Sequence, residues 1–221
     1  MCGRYTLAAD PAKIAERFSL DPQEACLPTR YNIAPGQDAP AIVNEERNRV
    51  RLLRWGLIPA WAKDATFGRR LINARAETLR DKPSFREAFA RRRCLIPADG
   101  FYEWRREPGQ KRAPMRFALK SREPFAFAGL WESWRDPRGL DIKTFTIITT
   151  EANPLVRPHH PRMPVMLRPE AEAAWLDSGL TNPMSLVALL GPYPAESMEA
   201  YEVSALVNSP ANDEPACAAP F

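Results

Sequence analysis

Cys2 follows directly on the initiator Met1. Its small side chain leads to the expectation that Met1 is removed. The product is an N-terminal cysteine with a free α-amine and a thiol on adjacent carbons. An α-amine titrates near about 7.7–8.0, so roughly a quarter of it is unprotonated at cytosolic pH. Such an amine condenses with an aldehyde to an imine, and the neighbouring thiol then closes on the imine carbon to a five-membered thiazolidine. Closure within one residue gives the thiol a very high effective concentration. An internal cysteine has no such route, because its nitrogen is an amide. The plain alternative is that Cys2 is a small apolar residue in a first strand.

The remaining cysteines, Cys26, Cys94 and Cys217, stand far apart, and the histidines are the neighbours His159 and His160. With no CxxC pair, neither a metal site nor a metal cofactor is expected. In a reducing compartment disulfides are not expected either. Cys2 is therefore weighed by the company it keeps.

Six short motifs occur in order: MCGRY at the start, Arg30-Tyr31-Asn32-Ile33-Ala34-Pro35, Arg54-Trp55-Gly56-Leu57-Ile58-Pro59, Ile72-Asn73-Ala74-Arg75-Ala76-Glu77-Thr78, Gly100-Phe101-Tyr102-Glu103-Trp104 and His160-Pro161-Arg162-Met163-Pro164. Together they closely resemble the SOS-response-associated peptidase (SRAP) family, abasic-site-processing proteins that crosslink themselves to damaged single-stranded DNA. The resemblance runs from residue 2 to about residue 207.

The resemblance implies a defined reaction. The mature N-terminal cysteine attacks the ring-opened aldehyde of an abasic deoxyribose and forms a stable thiazolidine, which shields the strand. By motif, Cys2 is the nucleophile through amine and thiol in turn. Asn73 hydrogen-bonds the sugar or the amine, a task suited to an amide that both donates and accepts. Glu103 orients the α-amine and takes its proton as general base; read without the family, it is a solvent-facing strand residue. His160 shuttles the proton that opens the sugar ring, since imidazole titrates near neutrality. It is preferred to His159 because it precedes Arg162-Met163-Pro164 with the family spacing, and a one-residue slip to His159 stays open.

The expected DNA contacts are Arg4, Arg75 and Arg162 on phosphates, Asn32 and Pro35 in a loop lining the cleft, and Trp61 beside a base. Trp55 is expected in the core, and Thr149 and Thr150 end a strand near the site. The run Arg91-Arg92-Arg93 closes a helix and reads as a solvated face. Two other functions compete with the crosslinker: a cysteine peptidase limited to release of its own Met1, and a non-covalent single-strand binder in which Cys2 is structural. A covalent complex that survives denaturing electrophoresis separates the crosslinker from the binder.

The elements that must position these residues are short. Residues 2–7 read as a strand, and Asp10-Pro11 opens a helix with Ile14 and Phe18 on its apolar face. Residues 40–43 and 50–57 read as a hairpin around the charged turn 44–49. A helix is expected from Pro83 to about Arg91. Strands follow at Cys94–Ile96, Gly100–Trp104, Met115–Leu119, Phe125–Leu130, Thr144–Thr149 and Glu202–Val207, with helices opening at Pro169 and Pro183. Few helices and no regular βα alternation predict an α+β single domain, residues 1–207, on a curved, barrel-like, mainly antiparallel sheet. Residues 208–221 have the composition of a loose tail.

Composition agrees with a nucleic-acid partner. The 221 residues carry 31 Lys+Arg against 27 Asp+Glu, a net charge of +4. Arg outnumbers Lys by 25 to six, and the planar guanidinium grips phosphate through two hydrogen bonds; a GC-rich genome would produce the same bias. The 23 prolines are spread along the chain, which suggests rigid loops between short strands. No apolar run approaches the length of about eighteen residues that a membrane span needs, and no signal peptide is visible. The expectation is a cytoplasmic monomer, nucleoid-associated when bound to abasic single-stranded DNA.

Overall fold

A computed structural model of the chain describes residues 2–21, 27–44, 48–104 and 113–221. Met1, Cys26 and the tip of the 44–49 turn lie outside them. The strands and helices run β1 (Tyr5–Leu7), α1 (Pro11–Phe18), β2 (Arg30–Ile33), β3 (Asp38–Asn44), β4 (Asn48–Trp55), β5 (Asn73–Arg75), α2 (Arg86–Arg91), β6 (Arg93–Ala98), β7 (Gly100–Trp104), β8 (Pro114–Leu119), β9 (Phe125–Arg135), β10 (Asp141–Glu151), β11 (Arg162–Pro164), β12 (Met166–Leu167), α3 (Pro169–Leu176), α4 (Pro183–Ala188) and β13 (Met198–Glu202).

Five strands close a barrel. β3 pairs with β4 and β6, β6 with β9, and β9 with β10, all antiparallel. The ring closes where β10 meets β4 in parallel, Thr144 beside Arg54 and Phe145 beside Trp55. A second, antiparallel sheet in the order β13-β8-β7-β1-β2 stands against it. Aromatic side chains join the two layers. Tyr5 of β1 packs edge-on against Trp55 at 5.2 Å and Phe127 at 5.8 Å. Phe101 of β7 stacks on Phe117 at 5.1 Å. Burying several such rings supplies about 1.5–3 kcal/mol each. The fold is thus an α+β single domain on a barrel, as its sequence predicts, with Trp55 in the core at 1% exposure.

The same edge of β10 is used twice. β4 ends at Trp55, the chain leaves through Gly56, and it returns as β5, whose Asn73 pairs in parallel with Ile147. Gly56 has φ +127°, and a Cβ there would lie 2.5 Å from the Gly68 carbonyl oxygen. Only glycine fits that backbone crossing. The excursion 56–72 carries Trp61, 56% exposed and edge-on to Phe67.

Helix α1 follows its sequence signals. Asp10 accepts the Ala12 N–H at 2.8 Å, Pro11 occupies the first turn, and Ile14, Ala15 and Phe18 face the core.

Three expectations are corrected. The last strand is Met198–Glu202, not 202–207; Ser204 instead caps a 3-10 turn over Ala205–Asn208. The run 91–93 is not a uniformly solvated face: Arg93 is 4% exposed. Its guanidinium donates to the Trp175 carbonyl at 2.7 Å and the Phe89 and Ala90 carbonyls at 2.9 Å, so it caps the ends of α2 and α3. Residues 208–221 are not loose either. Asp213 accepts the Tyr31 and Asn32 backbone N–H groups at 2.6 and 3.0 Å, Cys217 is fully buried, and Pro220 bridges Val203.

Candidate functional site

The residues before β1, the start of β5 and the end of β7 converge. The Tyr102 N–H donates to the Arg4 carbonyl at 3.0 Å, which extends the β1–β7 ladder toward Cys2. Cys2 is fully buried. Burial pushes its thiol well above the ordinary cysteine range, and the negative charge of Glu103 adds to the rise. A buried thiol beside a carboxylate resists ionising for both reasons. Glu103, on β7, is itself only 5% exposed, so it is no solvent-facing strand residue.

Asn73 reaches Cys2 from β5. Its Nδ2 donates to the Cys2 carbonyl at 2.8 Å. Its Oδ1 is buried with no hydrogen-bond partner among the described residues. A buried acceptor left open costs free energy unless an incoming donor fills it.

The two histidines part company. His159 sets its ring edge-on against Phe117, 5.4 Å between centroids. His160 turns toward β11, where its Nδ1 accepts the Arg162 backbone N–H at 2.9 Å. A neutral ring that makes this bond carries its proton on Nε2. The same Nδ1 lies 3.0 Å from the Arg162 carbonyl oxygen, an acceptor ready if Nδ1 gains a proton. The turn holding both rings is built by Asn153, whose side-chain oxygen accepts the Leu155 and Val156 N–H groups.

Arg162 is engaged by the protein. Its Nη1 and Nη2 donate to the two carboxylate oxygens of Glu77 at 2.8 and 3.0 Å. Nη2 also donates to the Thr149 carbonyl and, at 3.3 Å, to the Thr149 hydroxyl. Partial burial opposes the charge of Glu77, but the hydrogen bonds from Arg162 outweigh it and hold the carboxyl below its ordinary range. Since Thr149 pairs with Arg75 of β5 and Pro164 of β11, a continuous path of contacts joins Cys2, Asn73, Thr149, Arg162 and His160.

The residues expected on DNA fall into two groups. Arg75, Pro35 and Trp61 are exposed. Arg4, Asn32 and Arg162 hydrogen-bond within the molecule. Arg4 Nη1 donates to Asn32 Oδ1 at 2.8 Å and to the Val207 carbonyl at 2.5 Å. Asn32 is fully buried in β2 rather than on a loop, and its amide donates to the carbonyls of Ser209 and Asn212 at 2.9 and 2.6 Å. A cavity of about 450 Å³ opens beside Ile72, between Pro35, Arg54, Trp55 and Arg69. No group of His, Cys, Asp and Glu among the described residues is placed to hold a metal ion, and no helix among them is long and apolar enough to cross a membrane. Sequence reasoning quoted Glu77 within a motif but gave it no task; its only signal is an acid set between arginines.

Comparison with known proteins adds four findings. The profile of the SOS response associated peptidase (SRAP) family matches residues 1–210. A protein named abasic site processing protein YoqW, from Bacillus subtilis (strain 168), is 51% identical over 219 residues, 97% of each chain. Abasic site processing protein HMCES of Rattus norvegicus is 28% identical over 239 residues, 90% of this chain and 67% of that protein. Among solved structures, a protein from Bacteroides thetaiotaomicron superposes with a TM-score of 0.89 at 30% identity, covering both chains fully.

Proposed function

We propose a function from one premise: the chain belongs to the SOS response associated peptidase family. It processes abasic sites, and does so by capturing the open-chain aldehyde covalently on Cys2 in single-stranded DNA. After Met1 is released, the α-amine of Cys2 adds to the aldehyde carbon. Water then leaves, carrying the carbonyl oxygen and both amine protons, and an imine remains. The Cys2 sulfur bonds to the imine carbon while the thiol proton passes to the nitrogen, which closes the thiazolidine. No oxidant or cofactor is required.

Placement supports the following roles. Glu103, buried beside the thiol, takes the proton from the ammonium group of Cys2. Asn73 Oδ1 accepts a hydrogen bond from that amine or from the sugar. His160, with its proton on Nε2, passes a proton during ring opening and dehydration. The carrying observation is the Asn73 side chain, bonded to the Cys2 carbonyl at 2.8 Å with its other end buried and unfilled. The raised thiol orders the steps, because a protonated sulfur waits while the amine attacks. The same property disfavours a general cysteine peptidase, which needs a thiolate favoured by its surroundings.

Intact mass spectrometry of protein mixed with a single-stranded oligonucleotide carrying one abasic site tests the reading. The expected species is the protein without Met1, joined to the oligonucleotide with loss of one water. Cys2→Ala is expected to form none. Equal adduct from Cys2→Ala, or from protein that keeps Met1, would overturn it.

A further inference from the structure

We infer that Trp134 is a positioning residue: its indole N–H holds the Ala62 carbonyl and so presents Trp61, one residue earlier in the chain, as a fixed platform on which a base beside the abasic site stacks. The DNA in this statement rests on the function proposed above; the hold on the loop does not.

The platform stands on the excursion 56–72. One foot is Gly56, whose N–H donates to the Phe145 carbonyl at 2.8 Å. The other is Ile72, directly before Asn73, whose carbonyl accepts the Ile147 N–H at 3.2 Å. Between the feet, residues 59–62 form a turn closed by the Ala62 N–H on the Pro59 carbonyl at 2.8 Å. The Ala62 carbonyl in turn accepts the Trp134 Nε1–H at 2.7 Å. Both backbone groups of the residue after Trp61 are therefore engaged. A second tether runs from the Ile58 N–H to the Thr144 hydroxyl at 2.9 Å. Trp134 and Thr144 belong to the paired strands β9 and β10, so the turn is fixed to the barrel wall. Trp134 is buried against Ile58 and Ala62, whereas Trp61 points out of the same turn into solvent.

The alternative is that Trp134 only fills space and that Trp61 turns freely on the surface. Three observations favour the platform. Trp61 meets Phe67 at 83°, 5.4 Å between ring centroids; a perpendicular contact covers at most one face of the indole and leaves the other to a base. A buried indole has a single donor to satisfy, and that of Trp134 is aimed at the carbonyl next to Trp61 in the chain. The same excursion also walls the cavity beside Ile72, through Ile58, Thr66 and Arg69, so the space bordering Asn73 is shaped by the loop that Trp134 holds. An aromatic ring ordered in the free protein has lost its freedom during folding, and binding does not bear that cost again. Base–aromatic stacking is tolerant of sequence because every base has a π-face. That suits a protein whose target is defined by a missing base and whose neighbouring bases vary.

Rates of adduct formation, measured against the concentration of a single-stranded oligonucleotide with one abasic site, separate presentation from chemistry. Trp134→Phe keeps an aromatic ring and removes the donor. It is expected to raise the half-saturating concentration by about threefold or more, while the rate at saturation stays within about twofold, since stacking sets binding rather than the bonds made at Cys2. Trp61→Ala should raise the half-saturating concentration by about tenfold. The double variant should match Trp61→Ala within about twofold, because Trp134 acts through Trp61; a merely structural role would make the two effects multiply. Thr144→Val cuts the other tether and carries the same comparison if Trp134→Phe does not fold. Effects that multiply overturn the proposal, as does an unchanged half-saturating concentration or a loss confined to the saturated rate. If wild type forms no adduct, the proposed function fails. Affinities of the same four proteins for an oligonucleotide with a tetrahydrofuran site, which lacks the aldehyde, then still decide the platform.

Discussion

Cys2 combines full burial with a thiol held in its protonated form, and the combination has consequences for any reagent that meets it. Alkylation proceeds through the thiolate. A small alkylating agent at neutral pH should therefore modify Cys2 in the folded protein at least about tenfold more slowly than a free cysteine. In urea the difference should vanish. Peptide mapping of the N-terminal fragment measures both rates, and equal rates in native buffer would refute the protonated, enclosed thiol. Glu77 makes the opposite kind of prediction. Its carboxyl is held below its ordinary range in the folded chain, so its contribution is present above the unfolded value and is lost as pH falls through the folded one. The resistance of the fold to urea should accordingly fall in acid, as pH drops below the usual glutamate range and the Glu77–Arg162 bond is lost. In Glu77→Gln the part of that fall owed to Glu77 should be absent, and identical urea curves against pH for the two proteins would refute it.

Elements show where sequence was readable. The β3–β4 hairpin announces itself through two apolar runs around a charged turn, and β7 lies where Gly100–Trp104 was expected. β5, β11 and β12 span three residues or fewer, too short for any periodicity, and exist only because β9 and β10 offer them an edge. The site behaves likewise. Cys2, Asn73, Glu103 and His160 could be named from motif order, whereas the clamp on Arg162 depends on which strands flank β10. The crossing of Gly56 over Gly68 was invisible too, since a positive φ leaves no pattern in neighbouring side chains. It yields a sharp test. Gly56→Ala brings a Cβ to 2.5 Å from a backbone oxygen, and overpacking at a strained φ costs about 2 kcal/mol or more. Urea denaturation of the variant should show that loss, with the Asn73 end of the site disturbed. A neutral result would mean that the loop 56–72 shifts freely.

At the scale of the molecule, the segment after β13 is a strap rather than a tail. Its hold comes from single side chains bonding to backbone, Asn32 of β2 and Asp213 of the strap itself, and composition carries no trace of that. Removal of residues 209–221 would leave the Asn32 amide short of acceptors and uncover the cluster of Tyr102, Val203 and Val207 around Cys217. Unmaking several buried bonds at about 1–3 kcal/mol each should lower Tm by roughly 5–10 °C. Scanning calorimetry of the shortened chain checks this, and an unchanged Tm would show the strap to be dispensable.

The bond from Arg4 to the Val207 carbonyl spans 203 positions, and it carries a consequence for biosynthesis. The corner of the molecule around Cys2 is completed by a segment made some two hundred residues later. At about 5–20 residues per second, Cys2 waits roughly 10–40 s in an unfinished pocket. During that interval its backbone has neither the Asn32 network nor the strap to shelter it, and any stray metabolic aldehyde competes on equal terms with damaged DNA.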